Sequence, residues 1–331
     1  MRLPLLPTLL GFFALAVLTG SAAPAHAPDS RREVPVARDM VLIPGTFVPG
    51  RQPDGNSIVL RGTEGLIVFD SGRHPAHTRR ILDHAHASGL PIVAVVNSHW
   101  HLDHVSGNPM LRAAYPQLQV YASHAIEGAL TGFLADSRKQ AAALIAQHKI
   151  PAAQLADVEG DMATIDRGRE LLPDHFVEHD GDRMLAGRPV HLGLARDAVT
   201  AGDVWLYDPQ TRVLLAGDLV TLPAPLLDTA CPPRWRAQLA TLDALPFVTL
   251  VPGHGAAMDH AGFHRYRRAF DALLDCAASH AGDAVCTDRW LHDVEGLVPA
   301  DRFKLARGLL GYYLDQVLHA PSERRNRYCP A

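Results

Sequence analysis

Three histidines and one aspartate lie within six consecutive positions of the chain, directly after an apolar run. The run is Ile92–Val96, and the cluster contains His99, His101, Asp103 and His104. A buried strand holds its own backbone in place, so the loop that follows it can direct nitrogen and oxygen donors into a cleft. Imidazole and carboxylate groups without a nearby thiolate suit Zn²⁺ and also tolerate iron or manganese. The pattern therefore predicts a metal centre at the end of a strand.

Three other segments share this design, in which an apolar stretch ends in a turn that carries a polar side chain. These segments are residues 65–72, 216–218 and 252–255. In order and spacing, the four segments resemble the metallo-β-lactamase superfamily of metallohydrolases over roughly residues 40–270. The resemblance implies an α/β fold that is a four-layer αββα sandwich, with metal ions in a groove at one edge of the two sheets. Periodicity alone would predict only an α/β or α+β fold.

The resemblance assigns one complete set of metal ligands, Asp103, His104 and His254, with Asp218 as a bridging carboxylate. Three protein ligands leave one position for water, as catalytic zinc sites do. The ion would lower the pKa of that water and direct hydroxide at a carbonyl-type or ester carbon. Asp103 is thus a predicted catalytic residue as well as a ligand. Asp70 is expected to support the metal loop by hydrogen bonds.

A second set of ligands that the resemblance implies is incomplete in this chain. It would contain His99, His101 and a third histidine from a Gly-x-x-His-Thr-x-Gly-Asp segment, which matches residues 191–203. Depending on the end from which this segment is aligned, Val199 or Arg196 stands where the histidine would be. Neither side chain can donate an electron pair to a metal, so this site should be weaker.

Three consequences of the missing histidine stay open. In the first, one metal ion occupies the complete set, and His99 and His101 orient the attacking water or stabilise an oxyanion. In the second, Asp197 or His191 substitutes for the missing ligand. In the third, catalysis has been lost, and a degenerate site serves a non-catalytic periplasmic accessory or binding protein. A mononuclear iron enzyme is a further alternative.

The leading hypothesis is an exported, zinc-dependent hydrolase that holds one or two Zn²⁺, with iron or manganese as alternatives. Its substrate is expected to be a small molecule. β-Lactams, lactones, thioesters and phosphoesters are all handled on this scaffold, and a fold does not select among them. Thr221, Asp228 and Trp235 are the predicted substrate contacts, because the proline-rich stretch that contains the last two should cross the groove.

The ends of the chain differ in character from its centre. Residues 1–27 have a positive start, an apolar run and small residues before the predicted cleavage point, which together indicate a signal peptide. We therefore expect a periplasmic or secreted protein. Residues 28–39 are interpreted as a linker, 40–280 as the metallo-β-lactamase-like domain, and 281–331 as a C-terminal helical extension.

Composition narrows the range of partners. The 331 residues carry a formal net charge of −4 and contain no basic run, which argues against nucleic acid as a partner. The N-terminal apolar run is too short for a stable membrane span. The sequence does not indicate an oligomeric state.

Four cysteines in an exported chain allow two disulfide bonds with three connectivities. We favour Cys276–Cys286, which closes a short loop, and Cys231–Cys329, which would tether the C-terminal tail.

Apolar patterning predicts several of the elements around the metal motifs. Strands are expected over residues 41–48, 57–61, 65–70 and 92–97, and a helix over residues 75–87. Residues 123–156 have helical composition and are expected to flank the substrate. One further helix is predicted over residues 300–318.

Overall fold

The computed structural model of the protein describes residues 32–48, 50–279 and 281–329. The strands are β1 (Val34–Ala37), β2 (Met40–Ile43), β3 (Ser57–Arg61), β4 (Leu66–Phe69), β5 (Ile92–Val96), β6 (Gln119–Ala122), β7 (His175–Phe176), β8 (Gly181–Leu185), β9 (Arg188–Arg196), β10 (Gly202–Asp208), β11 (Val213–Thr221), β12 (Thr249–His254) and β13 (Met258–Asp259).

Helices lie between and after these strands. They are α1 (Pro75–Ser88), α2 (Leu102–Val105), α3 (Asn108–Ala114), α4 (Ala125–Thr131), α5 (Phe133–Ala146), α6 (Ala152–Asp166), α7 (Gly168–Leu171), α8 (Pro232–Asp243), α9 (His260–Ala278), α10 (Asp283–Asp293), α11 (Phe303–Tyr313) and α12 (Ser322–Arg325), with a 3₁₀ turn at Ala300–Arg302 and a π-helical turn at Leu314–Leu318.

The strands of the described ranges form two sheets. The first has seven strands in the order β1-β2-β3-β4-β5-β6-β7, and the second has six in the order β13-β12-β11-β10-β9-β8. Strands β4 to β7 run parallel to one another, as do β11 and β12. The other neighbouring pairs are antiparallel.

The two sheets pack face to face and are covered by helices on their outer sides. Alternate side chains of a strand point to opposite faces, so Leu60 of β3 packs between the sheets with Leu206 and Leu215. Its neighbour Val59 faces the other way and packs with Ile81 of α1. On the outer side of the second sheet, apolar side chains pack with helices α8 to α11. This layering confirms the predicted αββα sandwich.

The described part of the C-terminal extension is helical, as predicted, and it adds to the layer outside the second sheet. Trp290, Leu309 and Tyr313 belong to the same buried cluster as Trp235 of α8. The single helix predicted over residues 300–318 is divided into a 3₁₀ turn, α11 and a π-helical turn. Within the described ranges, no helix has the length and apolarity needed to cross a bilayer.

Both expected disulfide bonds are present. Cys231 pairs with Cys329 across 98 positions of the chain, and Cys276 pairs with Cys286 across 10. The predicted signal peptide falls outside the described residues. The disulfides themselves are compatible with an oxidising compartment outside the cytoplasm.

Two local expectations differ from the structure. The strand expected over residues 41–48 ends at Ile43, because Pro44 cannot donate a ladder hydrogen bond and Gly45 N donates instead to Asn56 Oδ1, 3.0 Å away. In addition, Val34–Ala37, within the segment interpreted as a linker, forms an antiparallel edge strand against β2. This strand is only four residues long, too short to give a clear alternating pattern in the sequence.

Candidate metal centre

The ends of four strands bring the predicted metal motifs together. Asp70 follows β4, the histidine cluster follows β5, Asp218 lies in β11 and His254 ends β12. The backbone segments approach one another so closely that glycine is required at two of the contact points. A Cβ on Gly253 would lie 2.0 Å from Asp218 Oδ1, and a Cβ on Gly217, whose φ is +51°, would lie 2.4 Å from the Ser98 Cβ.

Five of the predicted ligands converge on one region. Asp103 Oδ2 lies 3.1 Å from His254 Nε2 and 3.6 Å from His104 Nε2. Asp218 Oδ1 lies 3.2 Å from His104 Nε2 and 3.6 Å from His254 Nε2. Asp218 Oδ2 lies 3.7 Å from His99 Nε2. The ligand atoms form two overlapping groups of three, one of Asp103, His104 and His254 and one of His99, His104 and Asp218.

These side chains are buried, and most of their inward-facing atoms have no hydrogen bond. Nε2 of His99, His104 and His254 and both carboxylate oxygens of Asp218 are in this state. None of these four residues exceeds 3% exposure. Leaving a buried polar atom unsatisfied is costly, so several such atoms at one point call for a bound group. Imidazole nitrogens and carboxylate oxygens fit a divalent metal ion such as Zn²⁺.

Asp70 and Ser98 set which nitrogen each histidine presents to the centre. Asp70 Oδ2 lies 2.8 Å from His104 Nδ1 and 2.7 Å from Ser98 Oγ, which in turn lies 2.9 Å from His99 Nδ1. A carboxylate only accepts, so the Ser98 hydroxyl donates to Asp70 and accepts from His99. Both histidines therefore carry their proton on Nδ1 and turn Nε2 towards the centre, as metal-binding histidines do.

The charges of the centre favour a neutral His99 and ionised carboxylates, as metal binding needs, and a protonated His104. Burial lowers the pKa of His99, and the nearby imidazole of His104 lowers it further, so His99 is neutral. Burial acts to raise the pKa of Asp103 and Asp218, but His104 and the other nearby positive or donating groups together outweigh it and hold both pKa values well below their ordinary value. Burial likewise acts to lower the pKa of His104, yet the carboxylates of Asp218 and Asp103 raise it. A cation at the centre would replace that proton.

His101, the sixth predicted ligand, belongs to neither group. Its Nε2 lies 2.9 Å from Thr229 Oγ1, and Thr229 Oγ1 donates to the carbonyl oxygen of Val199, also at 2.9 Å. Because the hydroxyl has a single proton, it accepts from His101, whose Nε2 therefore carries hydrogen. Nε2 therefore has no lone pair for a metal, and the lone pair of the ring lies on Nδ1. Burial lowers the pKa of His101 to about 4, so the ring is neutral.

The segment that would supply the third histidine offers no ligand to either group. Val199 is buried in the apolar cluster outside the second sheet, and Arg196 is exposed at the end of β9. His191 Nδ1 lies 2.7 Å from Asp182 Oδ1. Neither His191 nor Asp197 belongs to the two groups of ligand atoms found in the described residues.

A buried arginine next to the centre was not foreseen from the sequence. Arg73 Nη1 lies 2.7 Å from both carboxylate oxygens of Asp161 in α6, and Arg73 Nη2 lies 3.5 Å from Asp103 Oδ1. Asp161 of α6 thus supplies the counter-charge to Arg73, and Arg73 in turn faces the predicted ligand Asp103. A single Arg after Ser-Gly carries no pattern that could have indicated this contact.

The turn at residues 53–56 is a structural support and not merely a connection between strands. Asn56 Nδ2 donates to the carbonyl oxygens of Pro252 and Gly255 at 2.9 and 2.8 Å, on both sides of His254. A Cβ on Gly55 would lie 2.5 Å from the His104 ring. The turn thus packs against the ring of His104 and holds the loop that carries His254.

The three predicted substrate contacts lie in different environments. Thr221 is buried and its Oγ1 donates to the Ala224 carbonyl at 3.0 Å. Trp235 is fully buried and its Nε1 donates to the Leu219 carbonyl at 2.9 Å. Both are therefore parts of the protein interior. Asp228 is partly exposed and lines a cavity.

The C-terminal extension contacts segments next to the centre at three points. Arg302 Nη1 donates to the Phe47 carbonyl at 2.9 Å, and the Phe47 ring packs 4.9 Å from the His254 ring. The Tyr313 hydroxyl donates to Asp228 Oδ2 at 2.6 Å. The third contact is the Cys231–Cys329 disulfide. The extension thus packs against segments that adjoin the candidate metal centre.

Comparison with known proteins identifies the family. A family model of the metallo-beta-lactamase superfamily matches residues 50–254, so the chain belongs to that superfamily. The chain is 24% identical over 275 residues to the linear primary-alkylsulfatase of Pseudomonas sp., covering 77% of this chain and 51% of that protein. Over 58 residues it is 45% identical to the hydroxyacylglutathione hydrolase of Gloeobacter violaceus, covering 18% of this chain and 23% of that protein.

The chain spans about half the length of the alkylsulfatase and about a quarter of the hydroxyacylglutathione hydrolase. Both relatives bear the names of hydrolases. Among solved structures, a metallo-beta-lactamase from Pontibacter korlensis aligns with a TM-score of 0.52 and 20% identity, covering 72% of this chain and 98% of that one. The DIM-1 metallo-beta-lactamase aligns with a TM-score of 0.51 and 16% identity, covering 72% and 96%. These similarities support the fold.

Proposed function

We propose that the protein is a metal-dependent hydrolase that works with one divalent ion, Zn²⁺ in the first instance. Asp103, His104, Asp218 and His254 would hold the ion. When bound, such an ion polarises the scissile bond and acidifies a water molecule. The observation that carries the proposal is the set of buried Nε2 and carboxylate oxygen atoms that converge without hydrogen bonds.

The chain's own residues have distinct roles in this proposal. Asp103 Oδ2 faces the centre while its Oδ1 lies 3.5 Å from Arg73 Nη2. Arg73 thereby keeps Asp103 ionised and fixed, so that the carboxylate can accept the proton of the attacking water. His101 Nε2 donates to Thr229 Oγ1, and His101 belongs to neither group of ligand atoms found in the described residues.

The substrate class is a small molecule with a carbonyl-type or ester bond. The names of the relatives extend the candidates to thioesters and sulfate esters. A β-lactam is also a candidate substrate because the aligned solved structures are metallo-beta-lactamases. We further propose that the protein acts outside the cytoplasm, which its two disulfides support.

The test combines metal content with hydrolysis. Protein purified without added metal is analysed for zinc, iron and manganese, then assayed with 4-nitrophenyl esters, a chromogenic β-lactam, a thioester and an alkyl sulfate. We expect about one zinc per chain and hydrolysis of at least one substrate. Chelation should remove the activity and added zinc should restore it. Iron in place of zinc would favour the iron enzyme named above.

Substitution of the predicted ligands tests the metal site itself. His254→Ala and Asp103→Ala should lose metal and reduce activity more than about 100-fold, since outer partners of ligands alone change affinity 10–100-fold. Asp182→Ala is the matched control, because Asp182 pairs with His191 far from the two ligand groups and is exposed.

A second candidate, a binding protein with a degenerate site, is favoured by the His101–Thr229 bond. It would be supported by tight metal binding with no hydrolysis of the panel.

A further inference from the structure

The last described residues form one wall of a cavity beside the metal centre. The cavity, here called the tail cavity, has a volume of about 80 Å³. Its wall contains Asp228, Tyr312, Arg324, Arg325, Arg327 and Tyr328, together with apolar side chains such as Phe133. A single water molecule needs only about 10–15 Å³ by this kind of measure, so the tail cavity has room for a small polar group.

The charge of the tail cavity is positive. Three arginines and one carboxylate, Asp228, line this cavity, and Asp228 already accepts a hydrogen bond from the Tyr313 hydroxyl. In the part of the chain that the structure describes, the side chains of Arg324, Arg325 and Arg327 make no ion pair. Guanidinium groups match the geometry of carboxylate, sulfate and phosphate oxygens. The wall is therefore suited to an oxyanion.

A covalent bond holds this wall in position. Cys329 is joined to Cys231, with the two Cα atoms 4.9 Å apart, so the arginines two to five positions earlier cannot move far from the loop at residues 226–231. Since n residues of extended chain span at most about 3.6 Å × n, Arg327 stays within roughly 7 Å of Cys329. The disulfide therefore keeps the backbone of the arginine segment near this loop.

The tail cavity is connected to the metal centre by short contacts. Asp228 in its wall is followed by Thr229, whose hydroxyl lies 2.9 Å from His101 Nε2. Phe133, also in the wall, packs 5.2 Å from Trp100, and Trp100 packs 4.5 Å from His101. The tail cavity therefore lies next to side chains that contact His101.

We propose that the tail cavity is a subsite that binds an oxyanion group (carboxylate, sulfate or phosphate) of the molecule hydrolysed at the metal centre. This inference rests on the proposed function and adds the substrate class, an ester-type molecule that bears a negative group at some distance from the reacting bond. The tyrosines and Phe133 enclose the stem that joins the two groups.

Binding tests the subsite independently of catalysis. Wild-type holoenzyme is titrated calorimetrically with glutarate, ethyl sulfate and ethyl phosphate, and with neutral glutaramide as the uncharged counterpart. The variant combines Arg324→Gln, Arg325→Gln and Arg327→Gln, and the control is Arg79→Gln, an exposed arginine on α1 at the first sheet. We expect at least one anion to bind, with at least tenfold weaker binding to the triple variant and no change in the control. The anion that binds best identifies the oxyanion.

Kinetics then tests whether the subsite serves the reaction. Two esters are compared, the anionic mono-4-nitrophenyl glutarate and the neutral 4-nitrophenyl butyrate. The triple variant should raise KM for the anionic ester at least tenfold and leave the neutral ester within twofold. Single Arg→Gln variants, each with an expected smaller rise, guard against a triple variant that does not fold.

The outcomes separate the two proposals. Anion binding that is equal in the wild type and triple variant would place the anion on the metal ion and overturn the subsite. Equal KM effects on both esters would overturn it as well. If no substrate is hydrolysed but anion binding depends on the arginines, the hydrolase proposal fails and the tail cavity remains an oxyanion site.

Discussion

Thr229 Oγ1 lies 2.9 Å from His101 Nε2 and 2.9 Å from the carbonyl oxygen of Val199. This one hydroxyl joins the histidine of the incomplete ligand set to the backbone of the residue that stands where the third histidine is expected. The three groups satisfy one another without a metal ion. The missing histidine is therefore accompanied by a hydrogen bond that occupies Nε2 of His101 and leaves the lone pair of the ring on Nδ1.

Thr229→Ala should free His101 for metal binding. Without the hydroxyl, Nε2 of His101 has lost its acceptor, and the ring can place a lone pair there instead. We expect the affinity for a second zinc ion to rise at least tenfold, measured as zinc bound per chain against free zinc. Thr229→Ser keeps the hydroxyl and is the matched control. Equal second-site affinities in the two variants would contradict this account.

Asp70→Asn should weaken metal binding although Asp70 is not itself among the ligand groups. Its carboxylate fixes His104 through Nδ1 and His99 through Ser98. Loss of such outer partners typically costs 10–100-fold in metal affinity, which competition with a chromophoric chelator would measure. Asp208→Asn is a matched control, because Asp208 is equally buried but pairs with Arg188. The control should lose stability and keep its zinc affinity.

Arg73→Gln should destabilise the protein strongly. The change removes a buried cation and leaves the carboxylates of Asp161 and Asp103 without it. Breaking a buried pair in this way costs about 3–5 kcal/mol, to be measured by urea unfolding of the zinc-loaded protein. Arg138→Gln is the comparison, because Arg138 forms a similar two-pronged pair with Asp166 on the surface. A similar loss in both variants would show that burial of Arg73 does not decide the effect.

The sequence predicted the strand ends of the metal centre because each motif combines a buried strand with a fixed turn. Asp70 directly follows such a strand, Asp218 lies within one and His254 ends one, and the structure brings all three together. Local spacing carries this information, since parallel neighbouring strands end at the same edge. The two disulfide pairings were also predicted correctly.

Apart from Asp70, the residues that support the ligands could not be predicted, because they come from parts of the chain that are far apart. Arg73 meets Asp161 across 88 positions, and Thr229 meets His101 across 128. Neither threonine nor arginine forms a local pattern with its partner. The substrate contacts Thr221 and Trp235 stay predictions, and tertiary packing buries both side chains.

The two disulfides should differ in their contribution to stability. In the chain-entropy account, stabilisation grows with the length of the loop that is closed, to roughly 4.7 kcal/mol for a loop of 98 residues and roughly 2.7 kcal/mol for 10. Replacing Cys231 and Cys329 by Ser should therefore lower the free energy of unfolding more than replacing Cys276 and Cys286. Only the first pair of changes should also weaken anion binding in the tail cavity. Equal anion binding in the two variants would show that the disulfide does not hold the arginines.

Asp228 should make the stability of the protein depend on pH between about 4 and 6. Burial raises the pKa of its carboxyl from 3.8 to about 6, against the opposing effect of the hydrogen bond from Tyr313. In this window the folded protein keeps a proton that the unfolded chain has released. Stability therefore falls as pH rises through the window and is level above it.

Asp228→Asn removes this contribution and should flatten that part of the curve. A shift of about two units corresponds to ~3 kcal/mol, which the partial exposure of the side chain to solvent reduces to about 1 kcal/mol. Urea unfolding of the zinc-loaded wild type and variant from pH 4.5 to pH 7.5 measures the difference. Tyr313→Phe removes the hydrogen bond that favours the carboxylate, so it should extend the fall in stability to higher pH. Parallel curves for wild type and Asp228→Asn would show that Asp228 ionises as freely in the folded protein as in the unfolded chain.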